Sequence, residues 1–234
     1  MSQPFQIVFP LFPGITQLDF TGPYEVFSRL PNARLVVASV GGGTLETPQG
    51  LCFANVTPLR EVAHADLLCV PGGYGTPKAL ADLAYLDALR RLGSGAAYLT
   101  SVCTGSLLLG AAGFLAGRRA GCHWAWRDLL LEFGAIIDPA RVVKDENLIT
   151  GGGVTAGIDL ALVVVAELAG VDFAEELELA LEYAPEPPFR SGRPESARPE
   201  TLSAVKARLE TLAQERRRAV REAALRLQAG PAGL

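Results

Sequence analysis

The chain has 234 residues, 49% hydrophobic and 20% charged, with a net charge of -4. So apolar a composition at so small a charge excludes a disordered chain and suffices for one large domain, or two small ones, with a buried core. No apolar run reaches the roughly 18 residues of a membrane span, residues 1–10 lack the basic start of a signal peptide, and mild acidity speaks against a nucleic-acid partner.

Residues 5–9 form a short apolar run that leads into a loop with Pro13 and Gly14, which predicts a buried strand. A helix follows over roughly 19–29, with Pro23 in its first turns, and then a β-branched strand over 34–40. Gly41, Gly42 and Gly43 open a hairpin that runs to residue 53. A third buried strand over 65–70 ends in Pro71-Gly72-Gly73, and 78–92 carry helical periodicity in two pieces. A fourth strand over 96–102 runs into a short helix over 104–112, stopped by Gly113. A possible strand over 119–122 precedes a further helix over 124–133. A hairpin is predicted from 142–144 and 148–150, then a strongly apolar helix over 155–168 after a glycine-rich turn. Residues 184–200 are rich in proline and charge, and 200–228 form an arginine-rich helix with Leu202, Val205, Leu209 and Leu212 on one stripe.

Strands alternating with helices over 1–190 predict an α/β domain built on a mostly parallel sheet, covered on both faces. Residues 191–234 are then a linker and a C-terminal amphipathic helix that packs on the domain or on a dimer partner. In such folds the active site lies beyond the carboxyl ends of the strands, where Pro71-Gly72-Gly73 and Cys103 stand.

Residues 98–106 read Tyr-Leu-Thr-Ser-Val-Cys-Thr-Gly-Ser. A strand that runs into a cysteine, with a helix of small residues starting at once, is the pattern of a nucleophile elbow with sulfur in place of oxygen. The tight turn lifts the side chain above the sheet and holds its backbone in an unfavourable region. The helix N-terminus favours thiolate over thiol. The competing role for Cys103 is that of a small buried hydrophobe, which is also the reading for Cys52, Cys69 and Cys122. These sparse cysteines form no disulfide framework, which points to a reducing cytoplasm, and no Cys-x-x-Cys pair provides a zinc site.

A nucleophilic cysteine needs a proton partner. His64 precedes a strand on the far side, whereas His123 opens a helix and falls near the site, either to act or to cap. Asp19 lies past the first strand at the same sheet edge and can face the thiol, with N-capping of its helix as the competing role. Glu25, further along that helix, can also face inward. Pro71-Gly72-Gly73-Tyr74-Gly75 can present the N–H groups of Gly72 and Gly73 to a substrate or an oxyanion. The run Gly151-Gly152-Gly153-Val154-Thr155-Ala156-Gly157 fails the dinucleotide fingerprint, so Gly152 and Val154 are read as close backbone packing near the site.

On these residues the chain resembles the ThiJ/PfpI superfamily and, within it, the isocyanide hydratase group. The resemblance rests on residues 17–23 (Gln-Leu-Asp-Phe-Thr-Gly-Pro), 100–106, 123–125 (His-Trp-Ala), 150–159 and 181–189. It implies a flavodoxin-like sandwich, a homodimer, Cys103 as nucleophile, Asp19 as the carboxylate beside the thiol, and Thr104 as a hydrogen-bonding residue of the site. The protease-like branch has histidine directly after the cysteine, and Thr104 departs from that pattern. The implied reaction takes an isocyanide and water to an N-substituted formamide through a thioimidate on Cys103, with no metal or organic cofactor. The competing readings are a redox or stress sensor with an oxidisable Cys103 and a glyoxalase- or deglycase-like enzyme. A third is a transcription regulator, for which the segment after the α/β domain is too short to form a paired DNA-reading unit. The arginines of that segment read as a solvated face or a dimer contact.

Overall fold

The computed structural model describes residues 3–230; residues 1 and 2, and 231–234 at the end of the expected C-terminal segment, lie outside the described residues. The chain opens with β1 (Phe5–Pro10), buried along nearly its whole length, then α1 (Gln17–Phe27) and β2 (Ala33–Ser39). The hairpin expected after the glycines is β3 (Gly43–Glu46) and β4 (Cys52–Pro58). Next come β5 (Leu67–Val70), α2 (Thr76–Ala81), α3 (Leu83–Gly93), β6 (Tyr98–Val102) and α4 (Gly105–Ala111). The helical stretch read over 78–92 is thus two helices, and Asp82 caps the second by accepting from the Tyr85 N–H at 3.1 Å. Beyond α4 come the two-residue strand β7 (Arg119–Ala120), a 3-10 helix (Arg127–Phe133), β8 (Ile136–Ile137), β9 (Val142–Asp145) and β10 (Leu148–Gly151). The chain ends in α5 (Ala156–Ala169), α6 (Val171–Ala180) and the long α7 (Pro199–Gln228).

The main sheet has eight strands in the order β3-β4-β2-β1-β5-β6-β10-β9. The six inner strands are parallel, and β3 and β9 close the edges antiparallel to their hairpin partners. Strands such as β5, with Leu67, Leu68, Cys69 and Val70 all buried, carry no polar face because helices cover both sides. Helices α1, α5 and α6 pack on one face; α2, α3, α4, α7 and the 3-10 helix pack on the other. This is the flavodoxin-like α/β sandwich with an added C-terminal helix.

Two elements differ from their sequence reading. The helix read over 124–133 is a 3-10 helix from Arg127, ended by Gly134 in the left-handed region. Helix α6 is hidden from periodicity, since only Ala174 and Leu177 are buried and Glu175, Glu176 and Glu178 crowd the rest; Gly170, at φ 93°, breaks it from α5. The stripe on α7 also shifts. Leu202, Val205, Leu209 and Leu212 are half-buried, and the buried face is Ala213, Arg216, Val220, Ala223 and Ala224. Its alanines let α7 lie close against α2, α4 and the 3-10 helix.

The turn from β6 into α4 is fixed by close packing. A Cβ on Gly105 would stand 2.1 Å from the Val70 carbonyl oxygen at the end of β5. Only glycine lets the start of α4 press against the neighbouring strand end. We expect Gly105→Ala to lower stability by roughly 1–3 kcal/mol or more, read as a drop of several degrees in thermal melting; an unchanged melt would contradict this packing.

Candidate active site

Cys103 follows directly on β6 and is 6% exposed, with φ at 58°, the positive value that the elbow pattern predicts. Its neighbours impose the conformation. The Cys103 N–H donates to the Gly152 carbonyl at 2.8 Å, and its own carbonyl accepts from the His123 N–H at 3.4 Å. Gly152 therefore helps seat the backbone of Cys103.

Asp19 is the third residue of α1 and is fully buried. The helix begins at Thr16 without a side-chain cap, so the carboxyl is not spent on N-capping. Oδ2 accepts from the Gly72 N–H at 2.9 Å, Oδ1 has no hydrogen-bond partner of standard geometry among the described residues, and the Cys103 thiol lies against the carboxyl. Burial pushes the Asp19 carboxyl up to about 7, against the opposing pull of the Gly72 N–H and the thiol. Burial, then the charge of Asp19, push the Cys103 thiol well above its usual range; the Thr104 N–H and the Arg216 guanidinium pull the other way. Burial thus works against the resting thiolate expected from the N-terminus of the short α4.

Thr104 is buried and bonded away from the sulfur. Its Oγ1 accepts from the Gly73 N–H at 3.0 Å and lies 2.8 Å from Thr76 Oγ1, whose hydroxyl donates to the Gly73 carbonyl at 2.8 Å. The expectation that Gly72 and Gly73 offer N–H groups to a substrate is corrected as well. The Gly72 N–H is taken by Asp19 and the Gly73 N–H by Thr104. A Cβ on Gly72 would stand 2.4 Å from the Thr104 nitrogen, so the loop after β5 is pressed against the elbow.

His123 and Val154 line the cavity over Cys103. His123 is held neutral: burial, then the Arg216 and Arg127 charges, bring its imidazole down to about 4, and Nδ1 accepts from the Ala125 N–H at 3.3 Å. The other residues weighed from sequence stand apart. Glu25 is exposed and pairs with Arg29; His64 is exposed beside Asp66. Cys69 and Cys122 are buried, whereas Cys52 is exposed, so it is not the buried hydrophobe expected. No group of three or more His, Cys, Asp or Glu suited to a metal occurs among the described residues, and no helix among them is long and apolar enough to cross a membrane.

Arg216 of α7, one of the arginines expected on a solvated face or a dimer contact, lines the cavity over Cys103 instead. It is 4% exposed, donates through Nη2 to the Gly73 carbonyl at 3.0 Å, and stacks over Trp126 at 4.4 Å. The signal was its spacing: Leu209, Ala213, Arg216, Val220 and Ala223 recur every three or four residues, which puts an arginine on the inward stripe.

Comparison with known proteins agrees with this architecture. Residues 5–167 match the model of the DJ-1/PfpI family. The chain is 49% identical over 192 residues to the isonitrile hydratase of Pseudomonas putida, covering 82% of this chain and 84% of that protein. The crystal structure of a ThiJ/PfpI family protein from Pseudomonas syringae superposes with a TM-score of 0.90 at 37% identity, covering 93% of this chain and 90% of that one. Drosophila melanogaster DJ-1beta superposes with a TM-score of 0.69 at 26% identity, covering 78% of this chain and all of that one (100%).

The burial of Asp19 has a sign that can be measured. A carboxyl whose folded pKa is raised to about 7 binds a proton more tightly in the native state, so its contribution to stability is present below its unfolded value, 3.8, and is lost as pH rises towards 7. His123, lowered to about 4, works the opposite way over an overlapping range, so only a difference between variants isolates Asp19. We expect the melting temperature of Asp19→Asn, relative to the unsubstituted protein, to rise between pH 4.5 and pH 7.5. A difference that stays flat across that range would contradict a buried, upward-shifted carboxyl.

Proposed function

This chain belongs to the DJ-1/PfpI family, and from that premise we propose that it is a cysteine-dependent hydratase that converts isocyanides to N-substituted formamides. The observation that carries the reading is the buried Asp19 carboxyl, with an upward-shifted pKa, against the thiol of Cys103, which lines a cavity. The isonitrile hydratase relative at 49% identity supports the choice of substrate.

An isocyanide carbon is terminal and slim, and it accepts both a nucleophile and a proton. Asp19 takes the thiol proton as the Cys103 sulfur bonds to that carbon, then returns the proton to the same carbon, leaving an S-linked thioimidate, R–N=CH–S. Asp19, ionised again, takes a proton from water as its oxygen adds to the CH carbon and passes that proton to the nitrogen, giving R–NH–CH(OH)–S. The C–S bond then breaks as the hydroxyl proton moves through Asp19 to the sulfur, and R–NH–CHO leaves. One isocyanide and one water give one formamide, and splitting the hydration lowers each barrier. Thr104 serves as a positioning residue that holds the loop of Gly72 and Gly73, and Gly72 in turn orients the carboxyl. Gly152 holds the backbone of Cys103, and His123 and Val154 wall the cavity. A glyoxalase-like role is less well supported, because Glu25 points to solvent and His123 is neutral with Nδ1 occupied.

Formamide production from cyclohexyl isocyanide tests the reading. Cys103→Ala abolishes it. Asp19→Asn keeps an acceptor for the Gly72 N–H, and so the fold, yet cuts kcat by roughly 100-fold or more, the usual size of acid–base catalysis. In the unsubstituted enzyme kcat/KM rises with pH through an apparent pKa near 7, as Asp19 becomes able to accept the proton. Full turnover by a folded Asp19→Asn variant would remove Asp19 from the chemistry.

The same proposal includes a homodimer in a reducing cytoplasm. Supporting it are Val171, Leu179 and Phe189, apolar side chains left exposed, and four free cysteines. Light scattering at micromolar concentration should give twice the chain mass; the mass of one chain would refute the dimer.

A further inference from the structure

The cavity above Cys103 is far larger than an isocyanide group. It measures about 680 Å³, within the range that encloses a drug-sized ligand, and apolar side chains such as Leu18, Trp126, Leu209 and Leu212 form much of its wall. The substituent on the isocyanide therefore has room to be long, and it meets an uneven distribution of charge. Arg216 is the one formally charged side chain of that lining, and no carboxylate lines the cavity among the described residues; Asp19 lies behind its wall.

Arg216 differs from its neighbours on α7. Arg217 pairs with Asp128 and Arg221 with Glu132, both near the surface. Arg216 has no carboxylate within ion-pair distance among the described residues. One face of its guanidinium lies on Trp126, one nitrogen is used on the Gly73 carbonyl, and Nε is buried with no hydrogen-bond partner among the described residues. An unpaired buried cation is costly, and the carbonyl and the aromatic ring offset part of that cost without neutralising it. What the guanidinium lacks is an anionic acceptor, and the open cavity is the place from which one can reach it.

We propose that Arg216 is a specificity-determining residue that binds a carboxylate on the isocyanide's substituent, so that the preferred substrates are isocyano carboxylates with an apolar chain between the two groups. This rests on the hydratase reading and narrows it. The terminal carbon sits at Cys103, the chain lies along the apolar wall, and the carboxylate takes charge-assisted hydrogen bonds from Arg216. The long C-terminal helix thereby selects the substrate while the sheet supplies the chemistry.

The test compares ω-isocyano carboxylates of two to six methylenes with the matching ω-isocyano amides, which have the same shape and no charge. The unsubstituted enzyme should favour the acid over its amide in kcat/KM by about tenfold or more at the best chain length, the range of a hydrogen bond to a charged group. In Arg216→Gln that ratio should collapse towards one, whatever happens to the absolute rates. Equal kcat/KM for every acid and amide pair would overturn the proposal and leave the hydratase reading standing. Failure to hydrate any of them would overturn the hydratase reading; the anion site is then judged by calorimetry with the formamide of the best-fitting acid. Binding that exceeds that of its amide counterpart about tenfold supports the site, and equal binding overturns it. If Arg216→Gln does not fold, the acid-to-amide ratio of the unsubstituted protein alone decides.

Discussion

The peptide groups of Gly72 and Gly73 hold the site together. The Gly72 N–H is bound by the Asp19 carboxylate of α1, and the Gly73 N–H by the Thr104 hydroxyl of the elbow. The Gly73 carbonyl accepts from Thr76 at the start of α2 and from Arg216 of α7. Four elements far apart in sequence therefore meet on two residues of one loop. Each of these donors and acceptors is buried, and leaving any one unmatched costs about 1–3 kcal/mol, more if it is charged. The loop cannot shift without releasing several partners at once, so the distance between carboxyl and thiol is set by the fold rather than by two free side chains.

The proposed acid–base chemistry rests on that rigidity. A carboxyl in water gives up its proton near 4 and is too weak a base to draw one from a thiol. Burial brings Asp19 to about 7, and its closeness to Cys103 keeps the two groups from carrying charge together. In the proposed reaction the proton shared by the pair moves from sulfur to carbon as the new bond forms. Arg216 adds a fixed positive charge that favours the sulfur anion, and its stacking on Trp126 holds that charge in place. The side of the sandwich that carries α7 is thus coupled to the nucleophile through electrostatics as well as through the loop.

The architecture was largely legible in the sequence, because strands buried on both faces are apolar throughout and because Gly105 and Gly113 bound α4 with glycines. The sharp turn at Cys103 was legible because a strand, a cysteine and a small-residue helix in immediate succession have one geometric outcome. Asp19 could be nominated from its position at the same sheet edge, but its release from capping depended on Gly72, a partner 53 residues away. The glycine N–H groups were misread because a free donor and a bound one look alike in sequence. Arg216 was misread because arginine on a helix is usually solvated; only its phase relative to Ala213 and Val220 set it apart. Thr76, whose hydroxyl joins that of Thr104 to the Gly73 carbonyl, left no signal, since a threonine that opens a helix is ordinarily a cap.

In the proposed reaction Cys103 becomes covalently bonded to the isocyanide carbon during turnover. Rapid quenching in acid followed by intact-mass and peptide mass spectrometry tests it most directly. The account predicts that the peptide carrying Cys103 gains the mass of one isocyanide, and that this adduct decays to formamide at the turnover rate. Formamide that accumulates while Cys103 stays unmodified, or with the adduct on the exposed Cys52 alone, would contradict it.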